Sequence, residues 1–468
     1  MKPTIITSKT NLPNTSNKPF NPCCFMKNKF IGFLILSLFG IFITHAQQKT
    51  SLSVHDAVAM ALEKSNAVGL AQTKVATKKY ERQAIQNNQY PDVKLSGQYM
   101  RLTNADINLQ NQSNTANNSG EAKPVNQLLL GQANVSLPIF SGFKLKNSIE
   151  ASENLYESEI ANAEHTKEET AIKVIEYYAA LYKAQQTVEL LQESLKSSNQ
   201  RVTDFTASEQ NGIIARNDLL KAQLQVSKIQ LNLDEAQKNV KMINYYLITL
   251  LKLAPETLLV VSPSNIDPNL FNNLPRTEAE AIENRKDLTS LRLLEKASES
   301  NIKVAKSGYY PALNFSAGYI ALDLQNTITV ENAMNVGVGL SYNLSSLFKN
   351  GKEVKVAKSK AIELQKQEAE LTDAVKIQIK NAQEDYQLAL KQDQVYGESV
   401  GQSAENYRIV KDKYDNGLSN TNDLLEADVE QLSAKINLAN AKANVALKYY
   451  ELLNATGQLL ESFNLSKN

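Results

Sequence analysis

The sequence predicts a mixed α/β membrane protein, in which four strands per chain join a shared β-barrel that continues into a tube of long helices. Three observations lead to this prediction. The chain of 468 residues contains one unit twice in tandem. Each unit has two segments with strand-like alternation of apolar and polar residues. Each unit also ends in a helical hairpin that is far longer than the core of a globular domain requires.

Composition agrees with long helices and excludes several classes of protein. Lys and Arg number 50 against 49 for Asp and Glu, so there is no basic excess of the kind that drives binding to nucleic acid. The apolar content of 42% is too high for a disordered chain. Only 17 residues are glycine, about half of the usual ~7%, which favours helix over loop-rich structure.

Residues 1–46 are predicted to be a secretory signal peptide with an N-terminal extension. A basic segment starting at Met26 precedes an apolar run over 30–43, and Ala46 supplies the small residue of a cleavage site. An uncleaved anchor is the alternative, and translation could start at Met1 or at Met26. Cleavage would remove both cysteines, which excludes disulfides and zinc–cysteine sites from the mature chain.

We find no motif that indicates catalysis or a cofactor. The sequence lacks the nucleophile-elbow, zinc-protease, phosphate-loop and dinucleotide patterns. His55 and His165, the histidines of the mature chain, are expected on helix surfaces. The protein is therefore expected not to be an enzyme and to need no cofactor or metal.

The two units are related by matching motifs. Tyr90-Pro91 at the start of the first strand recurs 220 positions later as Tyr310-Pro311, and Asn211-Gly212 recurs as Asn416-Gly417. We place the first repeat at 47–255 and the second at 276–460. A Pro- and Asn-rich linker occupies 256–275, and a short tail follows at 461–468.

Within each repeat, a capped helix leads into two strands. Thr277 and Glu280 form a predicted capping box, and Ser53 with Asp56 is a looser version. Proline ends each helix near the Tyr-Pro pair. The strands that follow are about ten residues long with one apolar face and one polar or small face. This pattern suits a membrane barrel with lipid outside and water inside, although a soluble half-buried sheet alternates in the same way.

The helices after the strands carry apolar seams with coiled-coil spacing. Residues 143–210 as one helix would span ~100 Å, and the Asn-Gly pairs turn the chain into an antiparallel partner. The second long segment, from Gly351 to Gly417, is expected to be slightly shorter. In the last helix the seam is predicted at Leu425, Val429, Leu432, Ile436, Ala439, Ala443, Ala446, Tyr450 and Leu453.

Four strands cannot close a barrel, and open sheet edges are not tolerated in lipid. Several chains must therefore share one barrel. Three copies would supply twelve strands, an even number within the known range.

With these features, the sequence resembles the TolC-like outer-membrane efflux proteins, also called outer membrane factors. The resemblance is carried by the first helix with Tyr90-Pro91, the segment 137–142 and the two hairpin tips after Gly212 and Gly417. It implies a homotrimer in outer-membrane lipid with a 12-stranded barrel and a periplasmic helical tunnel. It also implies that the protein acts as the exit duct of a drug-efflux or type I secretion system. The partners implied are a periplasmic adaptor (membrane fusion) protein and an inner-membrane pump.

The resemblance also assigns residues to a gate at the periplasmic end. By position relative to the tip glycine, Asp423 and Glu426 match two acidic rings around the pore, and Asp218 and Tyr414 match positions that hold the tip closed. The basic partner of that lock falls at Ser419. A latch through Arg216 is an alternative. Asp218 and Asp423 could equally cap the returning helices, where a carboxylate contributes about 0.3–1 kcal/mol.

Two further sets of residues are assigned by their place in the chain. The residues expected to dock the adaptor, or else to form ordinary turn surface, are Gly212, Ile213, Ile214, Gly417, Leu418 and Ser419. The residues expected to form a membrane aromatic belt, or else to pack a soluble sheet, are Tyr90, Tyr99, Phe140, Phe143, Tyr310, Phe315, Tyr319 and Phe348. Residues 104–126 are rich in Asn, Gln and Ser and are predicted to form an extracellular loop.

The leading functional hypothesis is thus a passive export duct gated at its periplasmic end. The alternative is a surface or periplasmic coiled-coil structural protein without transport activity, which the repeated strands disfavour. A soluble adaptor is disfavoured because two hairpins are present. The sequence does not indicate the exported substrate, and it shows no Met or His cluster suited to metal export.

Overall fold

The computed structural model describes residues 49–105, 125–261 and 276–465. The predicted signal peptide, nearly all of the predicted extracellular loop, most of the predicted linker and the last three residues of the tail lie outside the described residues. The described residues all belong to one compact unit, which begins at Lys49.

The helices follow the predicted tandem order. Those of the first repeat are α1 (Val54–Lys64), α2 (Asn66–Asn87), α3 (Lys144–Gln210) and α4 (Arg216–Leu250). Those of the second repeat are α5 (Glu278–Asn284), α6 (Lys286–Lys306), α7 (Ser346–Asp415) and α8 (Thr421–Ala455). The short helix α9 (Leu459–Ser462) follows them.

The described strands form two sheets. They are β1 (Lys49–Leu52), β2 (Asp92–Ala105), β3 (Val125–Ser141), β4 (Leu258–Val261), β5 (Ala312–Leu324) and β6 (Ile328–Ser341). The larger sheet is antiparallel in the order β2-β3-β5-β6, so β2 and β6 are its free edges in one chain. Strands β1 and β4 pair in parallel as a separate two-stranded sheet.

The small sheet is a feature that the sequence analysis missed. Strand β4 lies inside the segment predicted as a linker, and it covers the largest apolar core together with β1. Side chains from α3 bind both strands: Tyr178 Oη donates to the carbonyl of Leu52 at 2.7 Å, and Gln185 Nε2 donates to that of Leu259 at 2.7 Å. The predicted tail also joins this core, because Phe463 is buried in it.

Helix boundaries follow the local sequence signals. The capping box of Thr277 and Glu280 is present at the start of α5, and Ser53 caps α1 by accepting from the backbone N–H of Asp56. Helix α3 has 67 residues, about 100 Å at 1.5 Å per residue, as predicted. Helix α7 has 70 residues and is therefore longer than α3, not shorter, because it begins before Gly351.

The packing seams are confirmed in α3 and α4 but shifted at the start of α8. Leu424 and Ala427 are buried there, whereas Leu425 is half-buried and Val429 is exposed, so the predicted stripe is wrong over these turns by one to two positions. The cause is the tip itself, because Leu424 packs into a cluster with Phe205 and Leu219 of the other hairpin.

A search of the described helices for a continuous apolar stretch that could cross a membrane finds none.

Candidate functional site: hairpin tips and strand faces

Each helical hairpin turns through a glycine in the left-handed region of backbone space. Gly212 has φ +70° and Gly417 has φ +73°. At the first tip the N–H of Ile213 donates to the carbonyl of Ser208 at 2.9 Å, and at the second the N–H of Leu418 donates to that of Lys413 at 2.8 Å. These bonds satisfy the last carbonyls of α3 and α7 and define a Schellman end. The repeated glycines are therefore required by the turn.

Substitution of either tip glycine by alanine is expected to destabilise its hairpin by about 1 kcal/mol, because the added Cβ disfavours positive φ. No neighbouring atom lies within 4 Å of the new Cβ at Gly212 or Gly417, so backbone strain alone is tested. Thermal unfolding in detergent measures the effect. Gly397→Ala, within α7 and equally uncrowded, is the control and should be neutral or stabilising. Equal loss in tip and control variants would contradict a strain specific to the turns.

The two tips of one chain are held together by an apolar cluster. Phe205, Leu219 and Leu424 are buried in it, and the ring of Tyr414 stacks on Phe205 with centroids 5.8 Å apart. Ile214 packs against the same cluster and is half-buried, as is Ser419, so these two predicted tip residues are less exposed than the others. The predicted tip surface is exposed at other positions: Ile213 is 74% and Leu418 is 79% exposed.

A cavity of about 1280 Å³ opens between the two hairpins beside this cluster. Both Asp218 and Tyr414 line it, as do Lys221 and Ser419. The carboxylate of Asp218, in the first turn of α4, lies 3.4 Å from Nζ of Lys221 one turn later, and the N-cap residue of this helix, Ala215, provides no side-chain cap. The structure therefore brings the predicted locking residues to one cavity, where Asp218 pairs with a lysine.

The predicted acidic residues of the second tip lie on the exposed first turns of α8. Asp423 completes a capping box with Asn420, and Ser419 Oγ donates to Asp423 Oδ2 at 2.9 Å. The capping alternative for Asp423 is thus realised. Glu426 lies one turn further along the helix. Arg216, the alternative latch residue, instead pairs within the first hairpin tip. Its Nη1 lies 3.6 Å from Oε1 of Glu209, near the end of α3.

A buried ion pair that the sequence analysis missed links the two hairpins above the tips. Arg201 of α3 donates from Nη1 to Asp428 Oδ2 of α8 at 3.0 Å and from Nη2 to Tyr407 Oη of α7 at 3.2 Å. The side chains of Arg201 and Asp428 are only 10% and 14% exposed. Although burial alone would lower the pKa of Arg201, the hydrogen bond and charge of Asp428 raise it. The sequence does contain one signal for this ion pair, because Arg201 lies one turn before the seam residue Phe205 and so on the same face of α3.

The four-stranded sheet sorts its residues into alternating rows. One row across all four strands is apolar or small, and it runs through Val93, Val135, Ala317 and Val336. The next row is polar or small, and it runs through Lys94, Asn134, Gly318 and Asn335. Near its helical end the sheet therefore has one apolar and one polar face, as the alternation in the sequence predicts. Toward the opposite end both faces are mixed, since Leu130 pairs with Leu322 in a row of the polar face.

The predicted belt residues lie on this apolar face or where the sheet meets the helices. Tyr99, Phe315 and Tyr319 lie in rows of the apolar face. The residues that flank the helical end of the sheet are Tyr90, Phe140, Phe143, Tyr310 and Phe348. Of these, Phe348 is the most exposed at 88%.

A β-bulge directs one of these aromatic residues. In β3 the register shifts between Pro138 and Phe140, so Phe140 rather than Ile139 pairs opposite Leu313. Proline has no N–H for the ladder and is tolerated in a central strand at such a bulge. Strict alternation along β3 would put Ile139 on the apolar face. The bulge instead brings Phe140 there, 5.3 Å from Phe143 in an edge-to-face pair.

Comparisons with known proteins agree with this architecture. The family model "Outer membrane efflux protein" matches residues 57–251 and 279–458. The outer membrane efflux protein BepC of Brucella suis is 22% identical over 325 residues, which are 69% of this chain and 70% of BepC.

Two solved outer membrane channels have the same fold. The Campylobacter jejuni channel CmeC matches with a TM-score of 0.74 at 17% identity, over 91% of this chain and 92% of that one. The Neisseria gonorrhoeae channel MtrE, solved in its open state, matches with a TM-score of 0.71 at 16% identity, over 87% and 89%. With the family model covering both repeats, this chain belongs to the outer membrane efflux protein family.

Proposed function

We propose that three copies of this chain form a passive exit duct in the outer membrane, gated at its periplasmic tips and served by an adaptor and an inner-membrane pump. The observation that carries the proposal is the four-stranded sheet, which has two free edges and, near its helical end, one apolar and one polar face, and which continues into helices of ~100 Å. Membership of an outer-membrane efflux family makes a duct the natural use of this geometry.

The free edges of the sheet support the proposed trimer. Strands β2 and β6 have no partner on their outer sides within the described chain, and an open edge is not stable in lipid. Helices α2 and α7, which adjoin these two edge strands in sequence, expose large apolar residues such as Tyr80 and Ile362. Pairing β6 of one copy with β2 of the next would close twelve strands and cover these helix faces.

The adaptor is proposed to dock at the exposed tips. Ile213 and Leu418 extend from the two Schellman turns with most of their surface exposed, and apolar exposed tips suit a helical partner. A photo-crosslinking residue at Leu418 should capture a periplasmic adaptor in cells. The same residue at Lys360, about 80 Å away along α7, should not. Capture of the adaptor at Lys360 alone, or at neither site, would contradict tip docking.

The gate is proposed to be closed by the link between Arg201, Asp428 and Tyr407, because this link joins the hairpin of one repeat to that of the other close to the tips. The MtrE channel was solved in its open state, so a structural relative of this chain does open. Three copies of Asp423 and Glu426 would place six carboxylates at one constriction, which favours cations.

The double variant Asp423→Asn, Glu426→Gln is expected to weaken cation preference, because it removes the ring charge while Asn at 423 keeps capping capacity. Reversal potentials across planar bilayers with a salt gradient measure the change. The control is Asp234→Asn, Glu235→Gln on α4, away from the tips, which should leave selectivity unchanged. Unaltered reversal potentials in the tip variant would refute the acidic constriction without affecting the proposed duct.

A further inference from the structure

A second cavity, of about 560 Å³, lies away from the tips where α3 passes the start of α6. Its wall combines α3 of the first repeat with residues of α6, α7 and α8 of the second. His165 of α3 lines it and is partly exposed, at 28%. The cavity is therefore a junction between the two repeats.

The wall of the cavity contains an arginine that makes four hydrogen bonds to protein groups. Arg285, which is buried, binds Asp287 through Nε–Oδ1 at 3.1 Å and Nη2–Oδ2 at 2.6 Å. Its Nη1 donates to Gln378 Oε1 at 2.8 Å and to the carbonyl of Ala455 at 2.9 Å. Although burial raises the pKa of Asp287, the hydrogen bonds and charge of Arg285 lower it overall. The charge of Arg285 is consequently matched by Asp287.

Beside this pair lies a carboxylate with no counter-charge of its own. Glu168 is 7% exposed and lines the cavity, and among the described residues we find no hydrogen bond to its carboxylate, whose oxygens are not fully enclosed and therefore face the cavity. Burial raises the pKa of Glu168 to about 7, against a smaller opposing effect from Arg285. A buried carboxylate without a donor is unfavourable, so a cation that entered the cavity would gain a strong partner.

The rim of the cavity is acidic as well. Glu169 and Glu176 line it there, and burial together with the charge of Glu451 raises the pKa of Glu176. The charged and titratable groups around Glu168 are Glu164, His165, Glu169, Lys173 and Glu176 of α3 and Arg285, Lys286 and Asp287 at the start of α6. Helices α7 and α8 contribute the neutral Gln378 and Asn454.

We propose that this cavity binds an aliphatic amine, with Glu168 as the buried partner of one ammonium group and Glu176 as the rim partner of a second. Among the described residues no group of three or more His, Cys, Asp or Glu could hold a metal ion, so an organic cation fits better than a metal. Glu168 and Glu176 lie two turns apart on α3, about 12 Å along the axis, so a linear polyamine can reach both.

Calorimetric titration of the full assembled protein in detergent at pH 8 tests the site, with spermidine as the polyamine and butylamine as the monoamine. We expect saturable binding of spermidine, weaker binding of butylamine, and a loss of about tenfold or more in affinity for both in Glu168→Gln. Glu176→Gln should weaken spermidine only. Glu299→Gln, on an exposed position of α6, is the matched control and should bind both amines normally.

The pH dependence provides a second test on the unmodified chain. Because protons compete for Glu168, spermidine affinity should fall about tenfold between pH 8 and pH 6. If Glu168→Gln does not assemble, the pH dependence of spermidine binding to the unmodified protein still tests the proposal. Equal affinity in Glu168→Gln, equal affinity at both pH values, or no saturable binding to the native protein would each overturn the proposal. None of these outcomes bears on the proposed duct, which depends on the tips and strands.

Discussion

Replacing Arg201 with alanine is expected to convert a mostly closed duct into one that conducts in planar bilayers without an adaptor. In the closed arrangement the variant leaves Asp428 buried, without its partner, between the two hairpins. If the hairpins separate, the same carboxylate becomes hydrated. The substitution therefore penalises the closed state specifically.

The expected size of this effect is large. Removing one partner of a buried ion pair costs about 3–5 kcal/mol. Even ~3 kcal/mol per chain shifts an opening equilibrium by about two orders of magnitude. Single-channel recording should show a higher open probability, and cells that produce the variant should become sensitive to large antibiotics that the intact outer membrane excludes.

Two further variants separate gating from general damage. Arg408→Ala on α7 removes an exposed arginine whose partner, Glu405, lies on the same helix, and it should leave conductance unchanged. The charge reversal Arg201→Asp with Asp428→Arg should partly restore closure. An open probability for Arg201→Ala no different from that of Arg408→Ala would exclude this ion pair as the closing contact.

The elements of the fold were predictable because each depends on short-range pattern. Alternation over about ten residues identifies β2, β3, β5 and β6, and the 3-4 spacing identifies the long helices. The tip glycines are evident because only a left-handed turn explains an Asn-Gly pair between two such helices. Because each of these patterns spans only neighbouring residues, it can be identified in a single sequence.

The parts that escaped prediction depend on distant contacts. Arg201 and Asp428 are 227 positions apart, and the one local signal, a basic residue one turn before Phe205, does not identify the partner. Strand β4 is short and lies in a Pro-rich segment, and its pairing with β1 is determined by the core beneath it. The bulge after Pro138 changes the register of a single residue, which is enough to exchange Ile139 for Phe140 on the apolar face.

Glu168 shows the same limit at the level of charge. Its neighbours in sequence, Glu164 and Glu169, are partly or fully exposed, and composition offers no reason to separate the three. Only the packing of α3 against the start of α6 buries Glu168 next to an arginine that Asp287 already neutralises. The consequence is a carboxylate whose ionisation opposes folding.

Glu168→Gln is therefore expected to stabilise the protein at pH 8 and to have a much smaller effect at pH 5. The pKa of Glu168 is raised from 4.5 to about 7 on folding. Stability is thus fully present below pH 4.5 and is lost as the pH rises through 7. The difference corresponds to about 3 kcal/mol per chain at pH 8. Unfolding by guanidinium at both pH values measures it, in the absence of added amine.

The comparison between variants isolates this one group, since all other titrating residues are shared and cancel in the difference. Glu169→Gln, the exposed neighbour, should change stability by the same small amount at pH 5 and pH 8. A stabilisation by Glu168→Gln that does not depend on pH would mean that the amide improves packing, not that it removes a buried charge. Destabilisation at pH 8 would mean that the ionised carboxylate has a favourable partner in the assembled protein, and the assignment of Glu168 as an uncompensated charge at the repeat junction would then fail.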